Sequence, residues 1–163
     1  MKPVGLSKVP PRAPFRHILW SWCGGMLAIG LIALLAKASA FPLMMAPLGA
    51  SAVLAFGVPD SPLAQPRNIV VGHAVSAFVG LVALSVFGDA WWVAGGAVAT
   101  AIAAMQLTGT VHPPAGANPL LVIMTGAGWD FLFMPVIAGA ALLALVAVGF
   151  NRFAARRAYP VYW

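Results

Sequence analysis

The chain has 163 residues, of which 62% are hydrophobic and only 7% charged, and its mean hydropathy is +0.96. Soluble domains carry about 25% charged residues, so no polar shell can cover this chain and its apolar surface has to meet lipid. One spanning helix takes about 20 apolar residues, which leaves room for about six spans, no separate soluble domain, and a net charge of +6 that sits at the chain ends.

Residues 1–16 form a basic tail with Lys2, Lys8, Arg12 and Arg16. Basic clusters beside apolar runs mark cytoplasmic flanks that touch anionic headgroups. They are not the aromatic-interleaved surface of a nucleic-acid binder. The first apolar run covers about 18–35. It ends near Ala38-Ser39-Ala40, which fits a signal-peptidase site, but signal cores are about 7–15 residues long, and a retained span is the stronger reading. Cys23 is the only cysteine and reads as a small packed residue. The second run, 41–57, is interrupted by Pro42, Pro47 and Gly49. The third (69–87) and fourth (91–107) read as ordinary spanning helices. The fifth, 108–126, opens with His112-Pro113-Pro114-Ala115-Gly116-Ala117-Asn118-Pro119. The sixth, 131–150, again reads as an ordinary helix, and residues 152–163 form a basic, aromatic tail.

Two stretches match each other. Pro47-Leu48-Gly49-Ala50-Ser51-Ala52-Val53-Leu54 aligns with Pro114-Ala115-Gly116-Ala117-Asn118-Pro119-Leu120-Leu121. Each lies between two ordinary helices, and each precedes a polar connection with an aspartate, Asp60 or Asp130. The expected fold is therefore all-α: a polytopic membrane bundle over residues 17–151, built from repeats 17–88 and 89–151. Three segments per repeat turn the second half upside down, a 3+3 inverted repeat with two broken, half-helix segments. Six spans put both basic termini and Arg67 on the cytoplasmic side. Lys37, Asp89, Asp130 and the belt of Trp91, Trp92 and Trp129 fall outside; Trp20, Trp22, Tyr159, Tyr162 and Trp163 form the inner belt. Re-entrant broken segments would leave four spans and place Arg67 outside and Asp89 inside, a poorer charge pattern. The expected location is a bacterial inner membrane with both termini in the cytoplasm.

The broken segments are the candidate site. Proline pushes the residue before it towards extended backbone, so His112-Pro113-Pro114 is expected to be non-helical. Asn118 is expected to cap a short helix from Pro119 to Thr125, and Ser51 one from Ala52 to Gly57. Helix starts carry unpaired N–H groups and partial positive charge. Gly49, Ala50 and Ser51, facing Gly116, Ala117 and Asn118, would then cradle a small anion. The competing reading is that these prolines and glycines merely kink packed helices. His112 can donate to a substrate or relay a proton, or simply hold the Pro-Pro turn. His73, with Arg67 and Asn68 nearby, is a second polar or relay candidate, and His17 is interfacial. The small residues Gly72, Ser76 and Gly80, and Gly95, Ala99 and Ala103, permit close helix approach. A subunit this small can also pair with itself. No acidic pair, metal-spaced His/Cys cluster or phosphate loop is present, so neither an enzyme, a metal nor a cofactor is expected.

The motifs Ala46-Pro47-Leu48-Gly49-Ala50-Ser51 and His112-Pro113-Pro114-Ala115-Gly116-Ala117, with Gln65-Pro66-Arg67-Asn68 between them, resemble the HPP family of integral membrane proteins, from about Phe15 to Asn151. The resemblance implies membrane localisation and, from plastid and cyanobacterial members, nitrite transport. A small anion such as nitrite is thus the expected partner besides the bilayer. A transporter of a neutral or cationic solute, and a non-transporting scaffold subunit, are the competing readings.

Overall fold

The fold is described from a computed structural model covering residues 11–39 and 41–163. Six helices follow in order: α1 (Phe15–Ser39), α2 (Ala46–Ala52), α3 (Pro66–Phe87), α4 (Trp91–Leu107), α5 (Asn118–Thr125) and α6 (Ala138–Gly149). Wider π-helical turns prolong α2 to Gly57 and follow α6 to Ala154, a segment kinked at Met134 (Leu132–Ile137) precedes α6, and 3₁₀ turns cover Pro62–Ala64 and Pro113–Ala117. No strand occurs among the described residues. Three helical stretches, Phe15–Ser39, Pro66–Phe87 and Leu132–Ala154, are long and apolar enough to cross a bilayer. With 17 residues, α4 is roughly 26 Å long, slightly short of a ~30 Å hydrocarbon core.

The outer surface is that of a lipid-facing bundle. Trp22, Leu34, Leu107, Met124 and Leu145 are all exposed, whereas Ile32, Leu48, Phe56, Ile69, Val136 and Leu143 are buried. Phe150 joins three helices, edge-on to Trp20 and to Phe56, with centroids 5.7 Å apart in both pairs.

Hydrogen bonds fix the direction of each segment. His17 Nε2 donates to the Gly57 carbonyl (2.8 Å) and Ser21 Oγ to the Phe56 carbonyl (2.7 Å). Segment 41–57 therefore returns along α1 to its start. Arg67 donates to the carbonyls of Gly109 and Thr108, each at 2.9 Å, so α4 ends where α3 begins. From there segment 108–125 runs alongside α3. Asn68 Nδ2 meets the Val111 carbonyl (2.9 Å) and Ser76 Oγ the Ala115 carbonyl (2.6 Å). The two broken segments thus run in opposite directions.

Their glycine contacts correspond. A Cβ on Gly72 would lie 2.7 Å from the Thr110 carbonyl oxygen, and one on Gly139 2.7 Å from the Leu43 carbonyl oxygen. Gly139 stands 67 residues after Gly72 (72 to 139), as Thr110 does after Leu43 (43 to 110). The helical starts Ala46 and Pro113 have the same spacing (46 to 113). In each case a glycine leaves a helix, α3 or α6, with a bare backbone where an irregular segment crosses it.

Several local expectations are corrected. Ser51 does not cap a helix: α2 begins five residues earlier, after the extended Met45 (φ −141°, ψ 148°). The reason is that Pro47 occupies the first turn, where its missing N–H costs nothing. Likewise Pro113 and Pro114 lie inside a 3₁₀ turn begun by the extended His112 (φ −138°, ψ 99°), and Asn118 is the first residue of α5 rather than its cap. The sixth run is not an ordinary helix. Met134, before Pro135, is extended (φ −134°, ψ 119°), as a residue preceding proline prefers.

Candidate functional site

Four polar side chains meet where the broken segments pass each other. Ser51 (α2), His73 (α3), His112 (the cap before the 3₁₀ turn) and Asn118 (α5) are each 0% exposed. Ser51 Oγ lies 2.8 Å from Nε2 of His73 and 2.8 Å from Nε2 of His112. The two rings stand edge to face with centroids 5.1 Å apart. His112 Nδ1 donates to the Leu63 carbonyl (2.8 Å). Asn118 Nδ2 reaches both the His73 carbonyl and His73 Nδ1, each at 3.0 Å. Ser51 Oγ also lies 3.1 Å from the Pro47 carbonyl, one turn back.

Local structure explains the convergence. Because α2 starts at Ala46, Ser51 is carried to its inward face beside Leu48 and Ala52, which are also buried. The small Gly72 and Ser76, on either side of His73, let the 108–117 segment approach α3 closely. His73 sits seven residues into α3, roughly 10 Å from its start. One polar atom in the cluster lacks a partner among the described residues: Asn118 Oδ1 is buried without a hydrogen bond. A buried, unpaired acceptor costs about 1–3 kcal/mol, so this oxygen favours any small donor that reaches it.

The remaining sequence candidates are dispersed. The Pro47 carbonyl belongs to the cluster, and Pro114 is buried in the 3₁₀ turn that follows His112. Gly49 and Ala50 are exposed on the outer face of α2, so they do not face Gly116 and Ala117. Neither Gly49 nor Gly116 has any atom within 4 Å of an added Cβ. Pro113 is exposed, and Ala117 precedes α5. Arg67 and Asn68 clamp the 108–111 loop and do not touch the histidines. The expected cradle of helix-start amides is also absent at the second segment. Pro113 and Pro114 have no N–H, and the Ala115 amide bonds back to the His112 carbonyl (2.9 Å).

Ser76, which the sequence marks only as a packing residue, the Leu63 carbonyl, which it does not mark, and the C-terminal tail, which it marks as an aromatic belt, also surround the site. Ser76 lies three residues from His73, on the same helical face, which was the available signal. The tail crosses the 3₁₀ turn that carries Leu63. Tyr159 OH donates to the Ala64 carbonyl (2.7 Å), the Val161 amide to Gln65 Oε1 (2.8 Å), and Tyr162 OH lies between the Pro62 carbonyl (2.6 Å) and Asn68 Oδ1 (2.9 Å). Burial pushes the Tyr159 phenol above its ordinary range, which keeps it a donor. Burial also lowers the Arg157 guanidinium, opposed by the charge of Asp60. Tyr159 is thus part of a packed cover rather than of an aromatic belt. At the opposite end, a cavity of ≈ 340 Å³ opens between the two halves, lined by Met45, Leu121, Asp130 and Met134 among others.

A family model described as "HPP, transmembrane region" matches residues 10–160. The chain is 40% identical over 172 residues to a transmembrane protein of Dictyostelium discoideum, the match covering 98% of this chain and 60% of that protein. To a second transmembrane protein of the same organism it is 42% identical over 173 residues, covering 98% and 55%. The chain therefore spans somewhat more than half the length of these relatives. No solved structure matches it.

Proposed function

The chain belongs to the HPP family of integral membrane proteins, and on that premise we propose that it carries a small polar solute across the bilayer through the Ser51–His73–His112–Asn118 cluster. The carrying observation is the cluster itself: four fully buried polar side chains, drawn from both halves, at the crossing of the two broken segments. Polar groups inside a membrane bundle are costly and belong by default to solute or ion paths. The protein acts as a transporter and not as an enzyme.

The architecture is a 3+3 inverted repeat of six segments. It is supported by the opposite directions of 41–57 and 108–125, and by the recurring 67-residue spacing of their starts and glycine contacts (46 to 113, 72 to 139). Both termini lie in the cytoplasm, on the side of Arg16, Arg67, Arg152, Arg156 and Arg157, by the charge rule. The tail seals that side, and the Asp130 cavity is the outer mouth.

Nitrite is the first solute to test, from the resemblance of the two motifs to nitrite-transporting family members. Purified protein in liposomes should admit nitrite faster than protein-free vesicles, and His73→Ala or Asn118→Leu should cut that excess at least tenfold, which corresponds to about 1.4 kcal/mol. Undiminished entry in both variants would remove the cluster from the path. A second reading, a neutral or cationic solute, is favoured by two acceptors on the route, Asp130 at the mouth and the unpartnered Asn118 Oδ1. Competition by ammonium or urea for nitrite entry separates the two.

A further inference from the structure

The hydrogen-bond partners of the cluster fix where its protons lie. The Leu63 carbonyl can only accept, so His112 carries a proton on Nδ1. The His73 carbonyl can only accept, so it fixes the Asn118 amide with Nδ2 towards it. The other hydrogen of that NH₂ goes to His73 Nδ1, which must therefore be bare. His73 then holds its proton on Nε2 and donates it to Ser51 Oγ. In the neutral cluster the Ser51 hydroxyl donates in turn to His112 Nε2.

Ser51 has a second place for its hydroxyl proton, the Pro47 carbonyl at 3.1 Å. When the hydroxyl turns there, Oγ offers lone pairs to both imidazoles. His112 can then bear a proton on Nε2 as well as Nδ1, and each of these N–H groups still has an acceptor. One extra proton enters at the expense of a single hydroxyl rotation, with no hydrogen bond to an imidazole lost. His73 has no such freedom, because a second proton on its Nδ1 would confront the Asn118 NH₂.

The charge so created has no fixed partner. Facing the His112 ring are Ser51 from α2, His73 from α3 and the Leu63 carbonyl, with Asn118 from α5 on the far side of His73. Among the described residues, none of the hydrogen bonds to Ser51, His73, His112 or Asn118 comes from a charged side chain. Arg67 is engaged by the Thr108 and Gly109 carbonyls, and the nearest phenols, Tyr159 and Tyr162, donate to Ala64 and Pro62.

We propose that His112 is a proton-loading site, with Ser51 as its switchable acceptor, and that the proton supplies the countercharge for the transported anion, so that one proton and one anion cross together. This rests on the transport reading above. On loading, an O–H bond of hydronium breaks as N–H forms at His112 Nε2; on release that N–H breaks and the proton returns to water, and nothing is oxidised or reduced.

Two measurements test it. In the first, ¹⁵N spectra of histidine-labelled protein in bilayers should show neutral imidazoles of opposite tautomer, His73 Nε2–H and His112 Nδ1–H, with His112 doubly protonated before His73 as pH falls. In the second, an acid-outside pH step should speed nitrite entry at least tenfold over protein-free vesicles given the same step, with matching acidification of a trapped dye. Ser51→Ala should abolish the acceleration, and Ser51→Thr, which keeps a hydroxyl, should restore it. Nitrite entry indifferent to the step, or His73 protonating first, overturns the proton site and leaves transport standing. No nitrite entry above protein-free vesicles, with His112 titrating first, overturns nitrite and retains the proton site.

Discussion

The two broken segments share a frame and differ in chemistry. Both enter as extended chain, turn helical at Ala46 and Pro113, and pass beneath a glycine, Gly139 and Gly72. Yet the residue before the turn is Met45 in one and His112 in the other, and the inward polar residue is Ser51 in one and Asn118 in the other. Their mouths differ as well. The entry of 41–57 borders an open cavity, whereas the entry of 108–125 lies beneath Leu63 and the anchored C-terminal tail. Two segments of like frame and unlike contents can favour one mouth over the other, which two identical ones could not.

The largest effect should come from erasing the chemical difference. His112→Met makes the second entry copy the first. It should lower protein-dependent nitrite entry about a hundredfold, or about 2.7 kcal/mol, while Met45→Leu should leave it within about twofold. Near-normal entry in His112→Met would mean that the asymmetry is incidental. The shared frame should yield next. Gly72→Val and Gly139→Val each force a side chain into a carbonyl oxygen 2.7 Å from the first added carbon. Each should destabilise by about 1–3 kcal/mol, read as lowered thermal stability in detergent. If only one of the pair is harmful, the two crossings are not equivalent. The smallest effect belongs to glycines that sequence alone made suspects. Gly49→Ala and Gly116→Ala enter open space and should change stability by less than about 0.5 kcal/mol. A larger loss at Gly49 would show that a partner covers that face of α2.

Much of this arrangement is legible in the sequence, because hydropathy over long runs depends on composition alone. The helical membrane bundle follows from that, and the irregular starts before Ala46 and Pro113 follow from proline placement. The helix starts are harder to read, for a physical reason. Proline both breaks a helix interior and begins a helix well, and only the extended Met45 and His112 decide between these roles. Shifting α2 back to Ala46 turns Ser51 from a cap into a buried bridge and turns Gly49 outward. His73 and His112 are each visible as candidates, but their pairing is tertiary and no local pattern announces it. The grip of Tyr159 and Tyr162 on residues nearly a hundred positions earlier is invisible for the same cause.

The crossed glycine contacts bear on how such a chain could be divided. Gly72 is closed by Thr110 and Gly139 by Leu43, so the halves clasp each other rather than stand side by side. Cut in the turn near Gly88, neither fragment would have a finished interior. Each would carry a groove shaped for the other, and co-produced fragments would have to find one another in the bilayer before either could settle.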